Sequence, residues 1–229
     1  MAIAIGESWI VMTIFDSRTD AARRLARELG QYAGRNPLVL AIPRGAVEMG
    51  RVLANRLHGE LDVVLVRKLG SPISSEFAVG AIDESGWSYI ADYAASAGAD
   101  EAYLAKEKER QLELMRQRRA RYTPARPPID PQGRIVIVVD DGLATGATMI
   151  AALHATRVKR PERLICAIPV AAADSLERVR PYADEVVCLE VPPTFHAVGQ
   201  FYAEFGQVED EEVVALLSQA SGARSAKRE

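Results

Sequence analysis

The chain has 229 residues, 48% of them hydrophobic and 26% charged, with a formal net charge of −3. That length suits one α/β domain with decorations, and the composition is that of an ordinary soluble globular protein. The charge balance gives no global pull toward nucleic acid or a membrane surface, and no apolar run reaches the roughly 18 residues of a membrane span. Cys166 and Cys188 sit in the apolar runs RLICAIPV and EVVCLE and read as buried, reduced thiols on neighbouring strands; their surroundings lack metal-ligand spacing. The first residues, MAIAIGESWIVM, have no basic stretch and are interrupted by Glu7. They read as a peripheral extension or an upstream start rather than a signal peptide, and the cytoplasm is the expected location.

Thr13 to Asp16 is a short lead-in. Thr19 and Asp20 can cap a helix, and Ala22, Leu25, Ala26 and Leu29 follow at helical spacing up to Gly30. Arg23, Arg24 and Arg27 fall off that stripe and read as a solvated face. Residues 37–42 (PLVLAI) are a short continuous apolar run, expected to be a buried strand. It ends at Pro43-Arg44-Gly45, and a helix with Ala46, Met49, Leu53 and Leu57 on one face runs to Gly59. An arginine at a helix N-terminus opposes the helix dipole, so Arg44 reads either as an exposed loop residue or as the partner of an anion. Residues 61–67 (LDVVLVR) read as a third strand that delivers Arg67-Lys68 to the crevice at its carboxyl end, where open α/β sheets bind ligands. A polar loop over 71–76 follows. Residues 77–82 and 87–90 then form a hairpin around Asp83-Glu84-Ser85-Gly86.

Residues 99–122 have strong helix propensity, a thin apolar stripe (Leu104, Leu112, Met115) and a run of cations from Lys106 to Arg121. This helix reads as a solvated excursion, a homodimer contact or a patch for an anionic partner. With the proline-rich return over 123–132 it makes an insertion, about 92–131, within one domain spanning 1–229. Strands at 163–170 and 185–191 flank a helix over 174–180. Strands alternating with helices imply right-handed crossovers and a mainly parallel sheet. Segment 192–206 is rich in aromatics, with Phe195, Phe201, Tyr202 and Phe205. A last helix opens at 209–212, and the tail from Ser221 is expected to be disordered.

The most informative stretch is Arg134 to Thr148, RIVIVVDDGLATGAT. A β-branched run ends on Asp140-Asp141, a small-residue loop follows, and a helix opens through Met149. No lysine follows Gly146, so it is not a P-loop, and no dinucleotide fingerprint is present. The backbone N–H groups over 144–148 can wrap a phosphate at a helix start. Gly146 permits close approach there, and Thr145 and Thr148 add hydroxyl donors. A phosphate alone would not favour two carboxylates beside it. Carboxylates accept hydrogen bonds from hydroxyls, so the pair suits the 2′- and 3′-hydroxyls of a ribose whose phosphate sits in the loop.

VVDDGLATGAT resembles the phosphoribosyl pyrophosphate (PRPP) signature of the type I phosphoribosyltransferases. The likeness extends to Arg44-Gly45, to Arg67-Lys68 ahead of a mobile loop at about 70–79, and to PRGAVE-, VRKLG- and FYAEF-like segments over nearly residues 13–217. It implies a three-layer α/β/α fold. Its sheet would have five to six strands, mainly parallel with one antiparallel member, and would carry a helical insertion and a hood over 192–206. It implies ribose binding by Asp140 and Asp141, 5′-phosphate binding by Ala144, Thr145, Gly146, Ala147 and Thr148, and pyrophosphate binding by Arg44, Gly45, Arg67 and Lys68. Lys68, Asp140 and Asp141 would then be catalytic. Mg²⁺ would be the cofactor, met by Asp140 and Asp141 indirectly. In this family the hood selects the base, so Phe195, His196, Phe201 and Tyr202 are candidates, with N-terminal residues alongside; for His196 an ordinary surface or core histidine is the preferred reading. Members acting on 6-oxopurines carry an acid where this chain has Ala144, which argues against guanine or hypoxanthine.

The leading expectation is a Mg²⁺-dependent transferase moving the 5-phosphoribosyl group from PRPP to a small nitrogenous acceptor, with no nucleic-acid or membrane partner. The alternative is a non-catalytic sensor of PRPP or a nucleotide that uses the basic helix for a partner. A synthetase making PRPP is disfavoured, because no adenine-nucleotide motif is visible. If strand 37–42 neighbours strand 134–140, their helices leave to opposite faces, and the boundary between them is a ligand-binding switch point.

Overall fold

The computed structural model describes residues 13–75, 77–122 and 128–225. In chain order the elements are α1 (Arg18–Glu28), β1 (Leu38–Ala41), α2 (Ala46–Leu57), β2 (Glu60–Val63), β3 (Val66–Gly70), β4 (Ala78–Asp83), β5 (Ser88–Ile90) and α3 (Glu101–Tyr122). They continue with β6 (Ile135–Val139), α4 (Ala147–Arg157), β7 (Arg163–Val170), α5 (Ala173–Val179), β8 (Glu185–Glu190) and α6 (Asp210–Ser225). Among the described residues no helix is long and apolar enough to cross a membrane.

Five strands pair in the order β2–β1–β6–β7–β8, and every pair is parallel. The β-branched run of β6 fits this central place, because a strand covered on both faces has no polar side to present. Its alternation sorts the two layers. Ile135, Ile137 and Val139 pack in one core with Leu25 of α1, Leu53 of α2 and Val213 of α6. Val136 and Val138 pack in the other with Met149 and Ile150 of α4 and Leu176 of α5. So β1 and β6 are neighbours and α2 and α4 leave them to opposite faces, as the switch-point argument requires.

The run 61–67 is not one strand. β2 ends at Val63, and β3 begins at Val66 in a separate antiparallel sheet, β3–β4–β5. The antiparallel strands therefore lie outside the main sheet, which has no antiparallel member among the described residues. Asp62 explains the break. Its buried carboxylate accepts the N–H of Val63 at 2.8 Å and that of Ile129 at 2.6 Å, tying the end of β2 to the chain returning from α3. Period alone cannot separate two short apolar strands from one long one. The small sheet is held between two helices. Leu69, Val79 and Ile82 share a core with Met115 and Tyr122 of α3, while Val66 and Ala81 share one with α4.

Smaller differences follow from packing. The hairpin strand starts at Ala78, leaving Phe77 half exposed. Cys166 is buried on β7, but Cys188 is only partly buried, because β8 is an edge strand; both are free thiols on adjacent strands. Helix α6 runs to Ser225, beyond the point at which the sequence suggests disorder. Residues 1–12, the prolines at 124 and 127, and residues 226–229 lie outside the described residues.

Gly50 sets how closely α2, and with it Arg44, approaches the sheet. A Cβ there would lie 2.7 Å from Leu61 Cδ1 and 2.9 Å from Ala41 Cβ. Gly50→Ala should therefore destabilise by up to about 2 kcal/mol, because an overpacking cost of about 1–3 kcal/mol outweighs the helix-propensity gain of about 1 kcal/mol. Urea unfolding measures this, and a gain in stability would contradict the close packing.

Candidate active site

The crevice lies at the carboxyl ends of β1 and β6. β1 passes through a cis Pro43–Arg44 peptide to Gly45, which opens α2. β6 passes through Asp140-Asp141 and the loop to Gly146, which opens α4 with φ +79°, a left-handed conformation that suits glycine. Neither helix has a side-chain cap at this end, whereas α1 is capped by Ser17. The first N–H groups of an uncapped helix lack intrahelical partners and are ready to meet an anion. The loop below them is braced. Leu143 N–H donates to Val170 O at 2.9 Å, Ala172 N–H to Leu143 O at 3.1 Å, and Ser175 Oγ to Ala144 O at 2.6 Å.

Asp140 and Asp141 are half-buried at the head of this loop. Desolvation and the adjacent Asp141 charge push the Asp140 carboxyl well above the usual carboxylate range, against the pull of Lys68 and Arg18. Desolvation also raises Asp141, but Arg18 opposes it directly. Arg18 Nε donates to Asp141 Oδ2 at 2.9 Å, and its Nη1 donates to Gly206 O at 2.8 Å. Its guanidinium also lies 3.9 Å from the Phe205 ring centre. Gly45 fits against this pair by absence of bulk: a Cβ would come within 2.7 Å of Asp141 Oδ2 and 2.9 Å of Arg18 Nε.

Sequence reasoning missed Arg18. The signal was present, since Arg18 directly follows the cap of α1 and opposes the helix dipole as Arg44 does. Here the compensating anion is Asp141.

A cavity of about 620 Å³ opens over these groups. Arg44, Gly45, Arg67, Lys68, Asp140, Asp141, Ala144, Thr145, Gly146 and Thr148 all line it; Ala147 is buried behind it. Arg44 meets the exposed Glu209 carboxylate at 3.1 Å, a solvent-screened contact that an incoming anion could displace. Arg67 and Lys68 reach the cavity differently from the expectation. They sit within β3 and alternate. Lys68 is close enough to Asp140 and Asp141 to lower both carboxyls, whereas Arg67 Nε donates to Gln111 Oε1 of α3 at 2.7 Å. Helix α3 is thus a wall of the cavity, through Glu107, Arg110, Gln111 and Arg118, and not merely a solvated excursion.

Of the hood segment, Val198 lines the cavity. Phe195, His196, Phe201 and Tyr202 do not. Phe201 and Tyr202 are buried, Phe195 packs 5.1 Å from Phe201, and His196 is exposed with its N–H on Gln200. Tyr202 instead donates its hydroxyl to Asp141 O at 2.6 Å. The lead-in pairs with this segment, Phe15 N–H donating to Phe201 O at 2.9 Å and Ala203 N–H to Phe15 O at 2.9 Å. N-terminal and hood residues therefore close together over the end of β6. Among the described residues no group of three or more His, Cys, Asp or Glu could hold a metal.

The phosphoribosyl transferase domain family matches residues 13–205. The chain belongs to this family. It is 42% identical over 210 residues to "Putative phosphoribosyl transferase Rv0571c" of Mycobacterium tuberculosis (strain ATCC 25618 / H37Rv) and to its counterpart MT0597 in strain CDC 1551 / Oshkosh. The match covers 91% of this chain and 47% of those proteins, so the chain spans about half the length of these relatives. The crystal structure of TT1426 from Thermus thermophilus is 45% identical, with a TM-score of 0.75, over 90% of this chain and 98% of that one. Five parallel strands with helices on both faces agree with the α/β fold of the family.

The raised Asp140 carboxyl has a consequence for stability. Its ionised form is disfavoured in the folded state, so it costs stability at pH values above the raised pKa. That cost disappears as pH falls toward the unfolded value of 3.8. Asp140→Asn should therefore raise the unfolding free energy by about 1 kcal/mol at neutral pH, with the gain shrinking on acidification. Unfolding curves across pH check this, and a destabilised variant at neutral pH would show that Asp140 contributes to the fold as an ion.

Proposed function

We propose that this domain is a phosphoribosyltransferase that binds PRPP and transfers its 5-phosphoribosyl group to a nitrogenous acceptor, releasing pyrophosphate. One observation carries the reading: the desolvated pair Asp140-Asp141 shares a cavity with two uncapped helix N-termini and the cations Arg44 and Lys68. The α4 N-terminus with Thr145 and Thr148 would take the 5′-phosphate. Asp141 is already held by Arg18, so Asp140 is the freer acceptor for ribose hydroxyls. Arg44, Gly45 and Lys68 would take the pyrophosphate.

In the reaction the acceptor nitrogen bonds to ribose C1 as the C1–oxygen bond breaks, the electron pair leaves with pyrophosphate, and the acceptor's N–H proton passes to solvent. Positive charge develops on the sugar ring and negative charge on the leaving oxygen. Lys68 and Arg44 stabilise the latter, and the Asp140 carboxylate faces the former. Mg²⁺ fits this site. Two hard carboxylates, with no third His, Cys, Asp or Glu grouped beside them among the described residues, suit an ion that keeps several waters and takes most other ligands from substrate phosphates. Asp140 and Asp141 would hold it through water, and when bound it would neutralise charge on the leaving pyrophosphate.

The alternative, a sensor using α3 to bind nucleic acid or protein, finds less support. Cations of α3 pair within the chain: Arg116 with Glu113, Arg119 with Glu84, and Arg121 with Asp210 and Glu211. The cytoplasm is the proposed location.

Two outcomes are expected. Calorimetric titration with PRPP and Mg²⁺ should show binding to the wild type and an affinity loss of about 100-fold or more in the double variant Asp140→Asn, Asp141→Asn, with the fold retained. Unchanged binding would remove these acids from the site. Wild-type affinity should also weaken as pH falls below the raised Asp140 pKa, where binding releases about one proton, and be level above it. Titration in buffers of different ionisation enthalpy counts that proton. A pyrophosphate-release screen over bases and amines then separates enzyme from sensor, since tight PRPP binding without turnover on any acceptor would favour the sensor.

A further inference from the structure

Helix α3 brings charges to the cavity that the ribose-phosphate reading does not use. Arg110 and Arg118 line it together with Lys68 and the phosphate loop; Arg110 adjoins Gln111, and Arg118 follows about two turns later. Arg67 is half-buried, close enough to Arg110, Arg118 and Arg44 to feel their charge, and forms no ion pair with a described residue. A series of side-chain hydrogen bonds fixes its direction. Arg67 Nε donates to Gln111 Oε1 at 2.7 Å, Gln111 Nε2 donates to Glu107 Oε1 at 2.7 Å, and Arg110 grips both Glu107 oxygens at 2.8 Å. Each guanidinium keeps N–H groups that these contacts do not use: Arg67 and Arg118 are engaged through Nε, and Arg110 through Nε and Nη2. Arg118 approaches Asp210 only at 3.5 Å, and that carboxylate also serves Arg121 and Tyr122.

Glu107 neutralises Arg110 and acts on Arg67 in part, and Asp210 lies near Arg118, but the guanidinium groups still repel one another at Arg67. Burial and the Arg118 and Arg110 charges push the Arg67 guanidinium below its ordinary range. The chain keeps this cluster at a cost that an arriving anion would offset, and guanidinium forks match the paired oxygens of phosphate and carboxylate. No aromatic side chain lines the cavity among the described residues, so that wall offers charge and no stacking surface.

We propose that Arg67, Arg110 and Arg118 form an anion subsite, built by α3 against β3, that takes a phosphate or carboxylate group beyond the ribose. The proposal rests on the PRPP reading for the place of the sugar. The group comes either from the distal phosphoryl of the pyrophosphate or from an acidic acceptor.

Calorimetry on the full chain with Mg²⁺ tests this, using wild type, Arg110→Gln, Arg118→Gln, their double variant, and Arg116→Gln. The last removes the same charge from the same helix at an exposed position outside the cavity. Two titrations are made, inorganic pyrophosphate into the free protein, and orthophosphate or succinate into protein saturated with PRPP. The double variant should lose about tenfold or more in at least one of them, with Arg116→Gln close to wild type. Loss in the first titration assigns the subsite to the leaving group, and loss confined to the second assigns it to an acidic acceptor. If the wild type binds none of these anions, or the double variant weakens no more than Arg116→Gln, the subsite is overturned. Wild type that binds pyrophosphate but not PRPP would sink the transferase reading and leave the subsite to be judged by the first titration. A melting curve for each variant confirms that loss of the Arg118–Asp210 contact has not unfolded the chain.

Discussion

Two like charges on adjacent residues, at the end of the most central strand, are the constraint around which this structure is arranged. Asp140 and Asp141 cannot both be desolvated and ionised without compensation. The chain supplies it from far away in sequence: Arg18 from α1, hydrogen-bonded to Asp141, and Lys68 from β3. Holding Arg18 in place requires Gly206 O and the Phe205 ring, and holding Asp141 uses the Tyr202 hydroxyl. The lead-in, α1 and the 201–206 segment therefore serve as a clamp on the strand end. Asp140 keeps the residual tension, its carboxyl raised by desolvation and by the Asp141 charge.

The same economy governs the rest of the crevice. α2 and α4 start without side-chain caps and leave their N-termini open, whereas α1, whose start takes no part in the loop after β6, is closed by Ser17. Glycines stand where a Cβ would collide, at Gly45 against the ion pair and at Gly50 against the sheet. Open helix starts that would be a defect elsewhere face the cavity here, where the proposed function uses them.

The sequence was most legible where chemistry and local structure coincide. The run ending in Asp140-Asp141, with its glycine–threonine turn, announced strand, loop and helix start together, and the structure puts all three at the switch point between β1 and β6. It was least legible where long-range packing decides. The break at 64–65 depends on Asp62 meeting Ile129 across the insertion. The thin apolar stripe of α3 concealed that a polar face could still be inward, against a cavity rather than a core. Arg18 was legible in principle through its position at a helix start, but its partner lies 123 residues away. The hood aromatics show the reverse: their composition suggested a ligand surface, whereas Phe201 and Tyr202 are buried and Tyr202 braces Asp141.

The central claim is that the loop after β6 holds the phosphate of a ribose whose hydroxyls meet Asp140. A crystal structure of the full chain with ribose 5-phosphate bound tests it directly. The account predicts phosphate oxygens about 3 Å from backbone nitrogens of residues 145–148, ribose hydroxyls on Asp140, and Asp141 still paired with Arg18. A sugar bound with its phosphate at Arg44 and Lys68, its hydroxyls away from both acids, would contradict it.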